Sequence, residues 1–199
     1  MIKKEIYKEI FVYENFLEKE KCNYLIDFIN NNSSIAILGK NNKRQTIPIG
    51  SVPLEGTSNT KSIQEKIKLK NFPKEVQDIV NDTIKNIIKE IQISYQDKES
   101  MHASNMFFAK QYQGGTVRRH KDSDPWDMHL EYSAVVYLNE IKNGDLIFPE
   151  KGISHHPKAG DLIIYKSKDT TSSHEVLDID SDRYSMPIWI SKDLNYFIE

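Results

Sequence analysis

The sequence predicts an α+β protein built on a jelly-roll barrel, and three observations predict it. From residue 101 onward, short runs rich in Val, Ile, Tyr and Phe are separated by turn signals at Gln113-Gly114-Gly115, Asn143-Gly144 and Ala159-Gly160. That is the pattern of successive short strands. Before residue 101 the clearest element is helical, because Val76, Ile79, Val80, Ile84, Ile87, Ile88 and Ile91 recur at three- and four-residue steps. The residues richest in chemistry, His120-Lys121-Asp122 and His174, lie far apart in the chain. They meet only if tertiary structure makes distant strands neighbours, as a small barrel or jelly roll does.

Taken in order, residues 5–17 read as a strand through Ile10-Phe11-Val12, leading to a helix from about Glu18 to Phe28. Leu25, Ile26 and Ile29 give that helix its apolar side, with Cys22 one turn earlier, and the polar run from Asn30 to Ser34 ends it. Cys22 reads as a buried small residue, since nothing nearby would lower its pKa. Ile35 to Leu38 reads as a short strand. Residues 39–60 read as a surface loop broken by Pro48, Gly50, Pro53 and Gly56, or as a flap whose Lys40, Lys43 and Arg44 meet an acidic or extended partner. The long helix spans about Lys74 to Ile93 with Pro73 in its first turn, and its stripe is expected to face a sheet.

The strands then follow at Asn105–Tyr112, Thr116–His120, Tyr132–Asn139, Leu146–Pro149, Asp161–Tyr165, Ser173–Leu177 and Tyr184–Ser191, with Trp189 expected in the core. The polar turn Asp178 to Asp182 would join the last two and lay Arg183 close to His174. No repeat, linker or second domain is evident. One domain over 1–199 is expected, with 1–100 mainly helical support and the flap, and 101–199 the barrel core.

Composition narrows the class. The chain has 199 residues, enough for one moderate core. With 38% hydrophobic and 28% charged residues it reads as globular and not disordered. Lys plus Arg is 27 against 29 for Asp plus Glu, a net charge of −2, which argues against broad nucleic-acid binding. A single cysteine allows no internal disulfide and suggests a reducing, cytoplasmic setting (host cytoplasm if the chain is virally encoded). No apolar run reaches signal-peptide or membrane-span length, so no membrane association is expected.

Two imidazoles and a carboxylate form the set that holds a non-haem iron(II) on one face and leaves the other open. His120 and Asp122 are two apart, so both can aim at one point from one strand edge. Arg183 carries a planar fork suited to a carboxylate arriving at such a metal. Each piece alone is a chance match; their combination in strand context points to a metal site. Among the other candidates, alternation puts Arg118 on the His120 side, where it serves either substrate or a surface ion pair. Trp126 could line a substrate mouth. Glu175 points away from the site, and His155-His156 are surface bystanders.

Several motifs resemble the iron(II)- and 2-oxoglutarate-dependent dioxygenases, in their prolyl hydroxylase-like branch. They are Phe11 to Leu17, Tyr112-Gln-Gly-Gly, His120-Lys-Asp122, Tyr137-Leu-Asn139, Asn143 to Pro149, Pro157-Lys-Ala-Gly-Asp161, His174-Glu-Val and Arg183-Tyr. The resemblance implies a double-stranded β-helix. It implies that His120, Asp122 and His174 bind iron, that Arg183 and Tyr137 hold the distal carboxylate of 2-oxoglutarate, and that Tyr112 sits near the keto-acid end. The family often has a tyrosine where this chain has Val117, so the polar wall is expected to differ there. The implied reaction uses Fe(II), 2-oxoglutarate and O2, with ascorbate as a candidate reductant. It hydroxylates an unactivated carbon, foremost a prolyl residue in a peptide or protein, and releases succinate and CO2. Arg118, Trp126 and Arg44 are the candidate substrate residues. A small molecule, nucleobase or lipid is the alternative substrate, and a non-catalytic metal-binding barrel the alternative class. The sequence leaves the oligomeric state open.

Overall fold

The computed structural model of the chain describes residues 1–39, 43–49, 68–123 and 129–193. The strands there are β1 (Ile2–Tyr7), β2 (Ile10–Glu14), β3 (Ile37–Leu38), β4 (Arg44–Ile49), β5 (His102–Gln111), β6 (Val117–His120), β7 (Leu130–Tyr137), β8 (Leu146–Phe148), β9 (Ile153–His155), β10 (Leu162–Lys166), β11 (His174–Val176) and β12 (Arg183–Ser191). The helices are α1 (Lys19–Asn31) and α2 (Lys74–Ser94). An eight-stranded sheet runs in the order β1-β2-β10-β7-β12-β5-β4-β3, and a four-stranded sheet in the order β6-β11-β8-β9. All pairings are antiparallel. This is the α+β jelly roll that the strand pattern predicts, and the double-stranded β-helix that the resemblance implies.

Alternation sorts the larger sheet into two faces. Met106 and Phe108 of β5, Val136 of β7 and Ile188 and Ile190 of β12 join the core shared with the helices. Val12, Tyr137, Ile163 and Tyr165 point the other way and meet Phe148 and Val176 of the smaller sheet. The stripe on α2 buries Val76, Ile79, Val80, Ile87 and Ile91 against the helix-side core. Each fully buried aliphatic chain contributes about 1.5–3 kcal/mol. Cys22 is buried in the same core, and burial pushes its thiol up to about 11, so it is a packing residue and not a nucleophile. No described helix is long and apolar enough to cross a membrane.

One turn ties the N-terminal segment to the barrel. Gly160 takes φ 86°, and its carbonyl accepts from the backbone N–H of Phe16 (2.8 Å) and Leu17 (3.0 Å). A Cβ at Gly160 would stand 2.2 Å from the Leu17 carbonyl oxygen, so only glycine fits there.

Three local expectations change. The first half of the chain is more than helical support, because β1 to β4 supply half of the larger sheet. The 39–60 loop reading fails at β4, which pairs with β5 along its whole length. Gln45, Ile47 and Ile49 are buried there, and Pro48 is tolerated because β3 pairs β4 only at Gln45 and Thr46. The remainder of that loop, 40–42 and 50–60 with Lys40, lies outside the described residues. Finally, β11 and β12 are not a hairpin. They belong to opposite sheets, and the Asp178–Asp182 connection crosses between them.

Candidate active site

The site is built where the two sheets face each other. β6 and β11 pair so that His120 and His174 stand directly opposite, with their rings 4.4 Å apart. Asp122 follows β6 and brings its carboxylate between them. Oδ1 is 3.6 Å from His120 Nε2, and Oδ2 is 3.8 Å from His174 Nε2. The three residues offer ligand atoms that all lie within 4.8 Å of one another, and they form the one such group of histidines and carboxylates found among the described residues. Transition-metal bonds to nitrogen and oxygen are about 2 Å long, so one ion fits between them.

Their surroundings prepare the three for a metal. His120 Nδ1 is 2.8 Å from the Arg118 carbonyl oxygen, and His174 Nδ1 is 3.1 Å from that of Ser172. A carbonyl oxygen only accepts, so each ring carries its proton on Nδ1 and keeps the Nε2 lone pair for a ligand bond. The Tyr165 hydroxyl crosses from β10 in the other sheet and donates to Asp122 Oδ2 at 2.7 Å. Burial and the Asp122 charge raise the Tyr165 pKa well above its ordinary value, so it stays a donor. Burial would raise the Asp122 pKa, yet His120, His174 and Tyr165 outweigh it and hold the carboxyl well below the usual range. Burial lowers the His174 pKa, with Asp122 opposing. On the outer side, Arg119 pairs with Glu150 and its Nε donates to Ser173 Oγ at 3.1 Å, which clamps the strand end beside His174.

Arg183 occupies the same interior from the larger sheet. It is only 6% exposed, and its guanidinium lies over the Tyr137 ring at 5.1 Å. No carboxylate lies within ion-pair reach of it among the described residues, and its Nε has no hydrogen-bond partner. The Tyr137 hydroxyl and Gln111 Nε2 are also buried without partners. Gln111 is cross-strand to Arg183, and Tyr137 is cross-strand to Ser185, so all three share the barrel-facing side. A buried guanidinium without an anion is costly. Donors orphaned together describe a cradle for a carboxylate. Asn139 fixes the arginine: its Oδ1 accepts from the Tyr184 N–H and its Nδ2 donates to the Asp182 carbonyl, both at 2.8 Å. Opposite, a Cβ on Gly144 would meet Ile141 at 2.5 Å and Arg183 Cδ at 3.7 Å.

Residues 106–191 match the model of the 2OG-Fe(II) oxygenase superfamily, and that span contains the His-Asp-His cluster and Arg183. Over these residues the chain is similar to that superfamily. Among curated proteins no significant sequence match is found. Solved structures of prolyl hydroxylases share this chain's fold. The viral collagen prolyl hydroxylase of Paramecium bursaria Chlorella virus-1, in its 2OG complex, superposes with a TM-score of 0.67 at 14% identity, covering 92% of this chain and 95% of that one. A Pseudomonas putida prolyl-4-hydroxylase gives 0.66 at 21% identity, covering 93% of each chain. A Trichoplax adhaerens prolyl hydroxylase, in complex with a hypoxia inducible factor oxygen degradation domain peptide fragment, gives 0.66 at 16% identity, covering 92% and 84%.

Not every sequence candidate reaches the site. Tyr112 does not sit at the keto-acid end: its hydroxyl donates to Gln45 Oε1 at 2.6 Å, and Lys110 lies over its ring. Gln45 pairs with Lys110 and alternates with core-facing Ile47, so Tyr112 is on the helix side of the sheet and Gln111 takes the barrel side. Arg118 is solvent-exposed and reaches the site through its carbonyl. Trp126 lies outside the described residues. Arg44 does face the barrel, cross-strand to Gln111. Tyr165 and Gln111 carried no sequence signal, since a tyrosine or glutamine in a strand predicts nothing by itself. Trp189 is not core. It is half-buried on the barrel side, with its ring 5.3 Å from that of Phe107.

Proposed function

We propose that this protein is an Fe(II)- and 2-oxoglutarate-dependent dioxygenase that hydroxylates a prolyl residue in a peptide or protein. The observation that carries the reading is Arg183, a buried guanidinium without an anionic partner in the same interior as the His-Asp-His cluster. In this reading His120 and His174 bind the metal through Nε2 and Asp122 through a carboxylate oxygen. When bound, the ferrous ion and 2-oxoglutarate supply the oxidative chemistry, in which O2, 2-oxoglutarate and a C–H bond give CO2, succinate and a C–OH bond.

The chain's own residues do the rest. Arg183 grips the distal carboxylate of 2-oxoglutarate with its planar fork. Tyr137, whose hydroxyl burial raises to about 12, remains protonated and donates to the same carboxylate. Gln111 Nε2 is a further donor from the same side, in place of Tyr112. Tyr165 holds the Asp122 carboxylate in place, so the ligand set needs little rearrangement when metal arrives. Phe148, Ile163 and Val176 pack with Tyr137 and Tyr165 between the sheets, beside His174, and exclude water there. Trp189 and Phe107 offer an apolar, aromatic mouth suited to a pyrrolidine ring. The lone buried cysteine fits a reducing cytoplasm.

The test is succinate formation from 2-oxoglutarate with Fe(II) and O2, stimulated by proline-containing peptides that gain one oxygen atom by mass. Stimulation by peptides lacking proline, with equal oxygen gain, would overturn the prolyl assignment. No succinate under any condition would overturn the enzyme assignment.

A further inference from the structure

Arg44 is the second guanidinium of the site, and neither the metal nor the co-substrate accounts for it. It opens β4 opposite Gln111, which is in turn opposite Arg183. The two arginines therefore face the same interior from strands flanking β5. From the Gln111 level the Arg44 side chain runs back along β5 and lies over the Phe107 ring at 4.8 Å, and Phe107 touches Trp189. It thus reaches from the co-substrate cradle to the Phe107–Trp189 ring pair. Burial lowers its pKa first, the Arg183 charge adds to this, and Asp122 alone among the described carboxylates opposes. No ion pair or hydrogen bond to a described residue neutralises it.

Among the described residues the charges around the cluster do not balance without a further anion. Two guanidiniums and a divalent ion there would face one carboxylate, Asp122. A 2-oxoglutarate dianion pairs with the metal and Arg183 and still leaves one positive charge, which sits on Arg44. A half-buried cation stacked on an aromatic ring at a substrate mouth selects a negative group.

Resting on the oxygenase reading above, we propose that Arg44 is a specificity-determining residue that binds a carboxylate lying close to the oxidised carbon. Two sources share that chemistry. One is an acidic side chain flanking the target residue in a peptide; the other is the carboxylate of a small acid.

The test is calorimetry on the full chain loaded with Mn(II) and 2-oxoglutarate, which reports binding without turnover. The probes are blocked Asp-Pro-Asp against Asn-Pro-Asn, blocked Asp-Ala-Asp against Asn-Ala-Asn, and N-acetylproline against N-acetylprolinamide. The carboxylate member of at least one pair is expected to bind about tenfold to a hundredfold more tightly. Arg44→Gln should abolish that preference, Arg44→Lys should retain part of it, and both should leave 2-oxoglutarate affinity within about threefold. A preference in the tripeptides identifies the peptide source, and one confined to N-acetylproline the small acid. Equal preference with alanine at the centre keeps the inference and removes the prolyl reading. The inference is overturned if no carboxylate probe binds better than its amide, binding by neither included. It is also overturned if Arg44→Gln weakens 2-oxoglutarate binding as much as Arg183→Gln does, since Arg44 would then serve the co-substrate.

Discussion

Two backbone carbonyls and one phenol decide how ready the metal ligands are. The carbonyls of Arg118 and Ser172 set the tautomers of His120 and His174, and Tyr165 fixes the Asp122 carboxylate. Tyr165→Phe keeps the ring in the core and removes only the donor. It is expected to weaken Mn(II) or Fe(II) affinity about 10- to 100-fold, measured by metal titration, with an unchanged far-ultraviolet dichroism spectrum. The same residues predict a pH dependence. Burial lowers the proton affinity of His174, so below the unfolded imidazole value of about 6.5 the unfolded chain takes the proton more readily and the folded state loses stability. The depressed Asp122 carboxyl acts in the same direction at lower pH: its contribution is present above about pH 4 and is lost as pH falls through its folded value. His120 has the opposite sign, since its pKa is raised, so its contribution is lost as pH rises. With 42% of its side chain exposed, His120 has the smaller share. The thermal midpoint of the chelator-treated protein should therefore drop between about pH 7 and about pH 5, and drop less in His174→Asn.

The elements divide into those that hold the site and those that hold the holders. β6, the residues just after it and β11 carry the three ligands but are short, and the Arg119–Glu150–Ser173 clamp supports them from outside. α2 never touches the site, yet its buried stripe backs the sheet from which Arg183, Tyr137 and Tyr165 project. Ile87 is fully buried in that stripe. Ile87→Ala is expected to lower the unfolding free energy by about 2–5 kcal/mol in urea titrations, while metal affinity under native conditions stays unchanged. A loss below about 1 kcal/mol would mean that the helix face contributes little to the core.

Seen whole, the molecule makes clear which features a sequence can announce. The strands after residue 101, the α2 stripe and the residues His120, Asp122, His174 and Arg183 were legible, because periodicity and residue chemistry are local properties. β4 was not: Pro48 and the polar residues before it read as loop, and only the neighbour β5 makes a strand of them. Tyr112 was misplaced for a related reason. Its motif position was visible, but one step of alternation, set by β4 and β12 on either side, gives the barrel face to Gln111. Trp189 read as core because its strand is mostly apolar, and tertiary structure alone shows that its side is the half-buried barrel side beside Phe107.

The central claim joins these scales: residues from both sheets converge so that a ferrous ion and 2-oxoglutarate bind together. Calorimetric titration of 2-oxoglutarate into the Mn(II)-loaded protein tests it most directly. The account predicts one binding event per chain that requires the metal, disappears in Asp122→Ala and is weakened about tenfold or more in Arg183→Lys. Binding that is indifferent to the metal, or equally tight after Arg183→Ala, would contradict it.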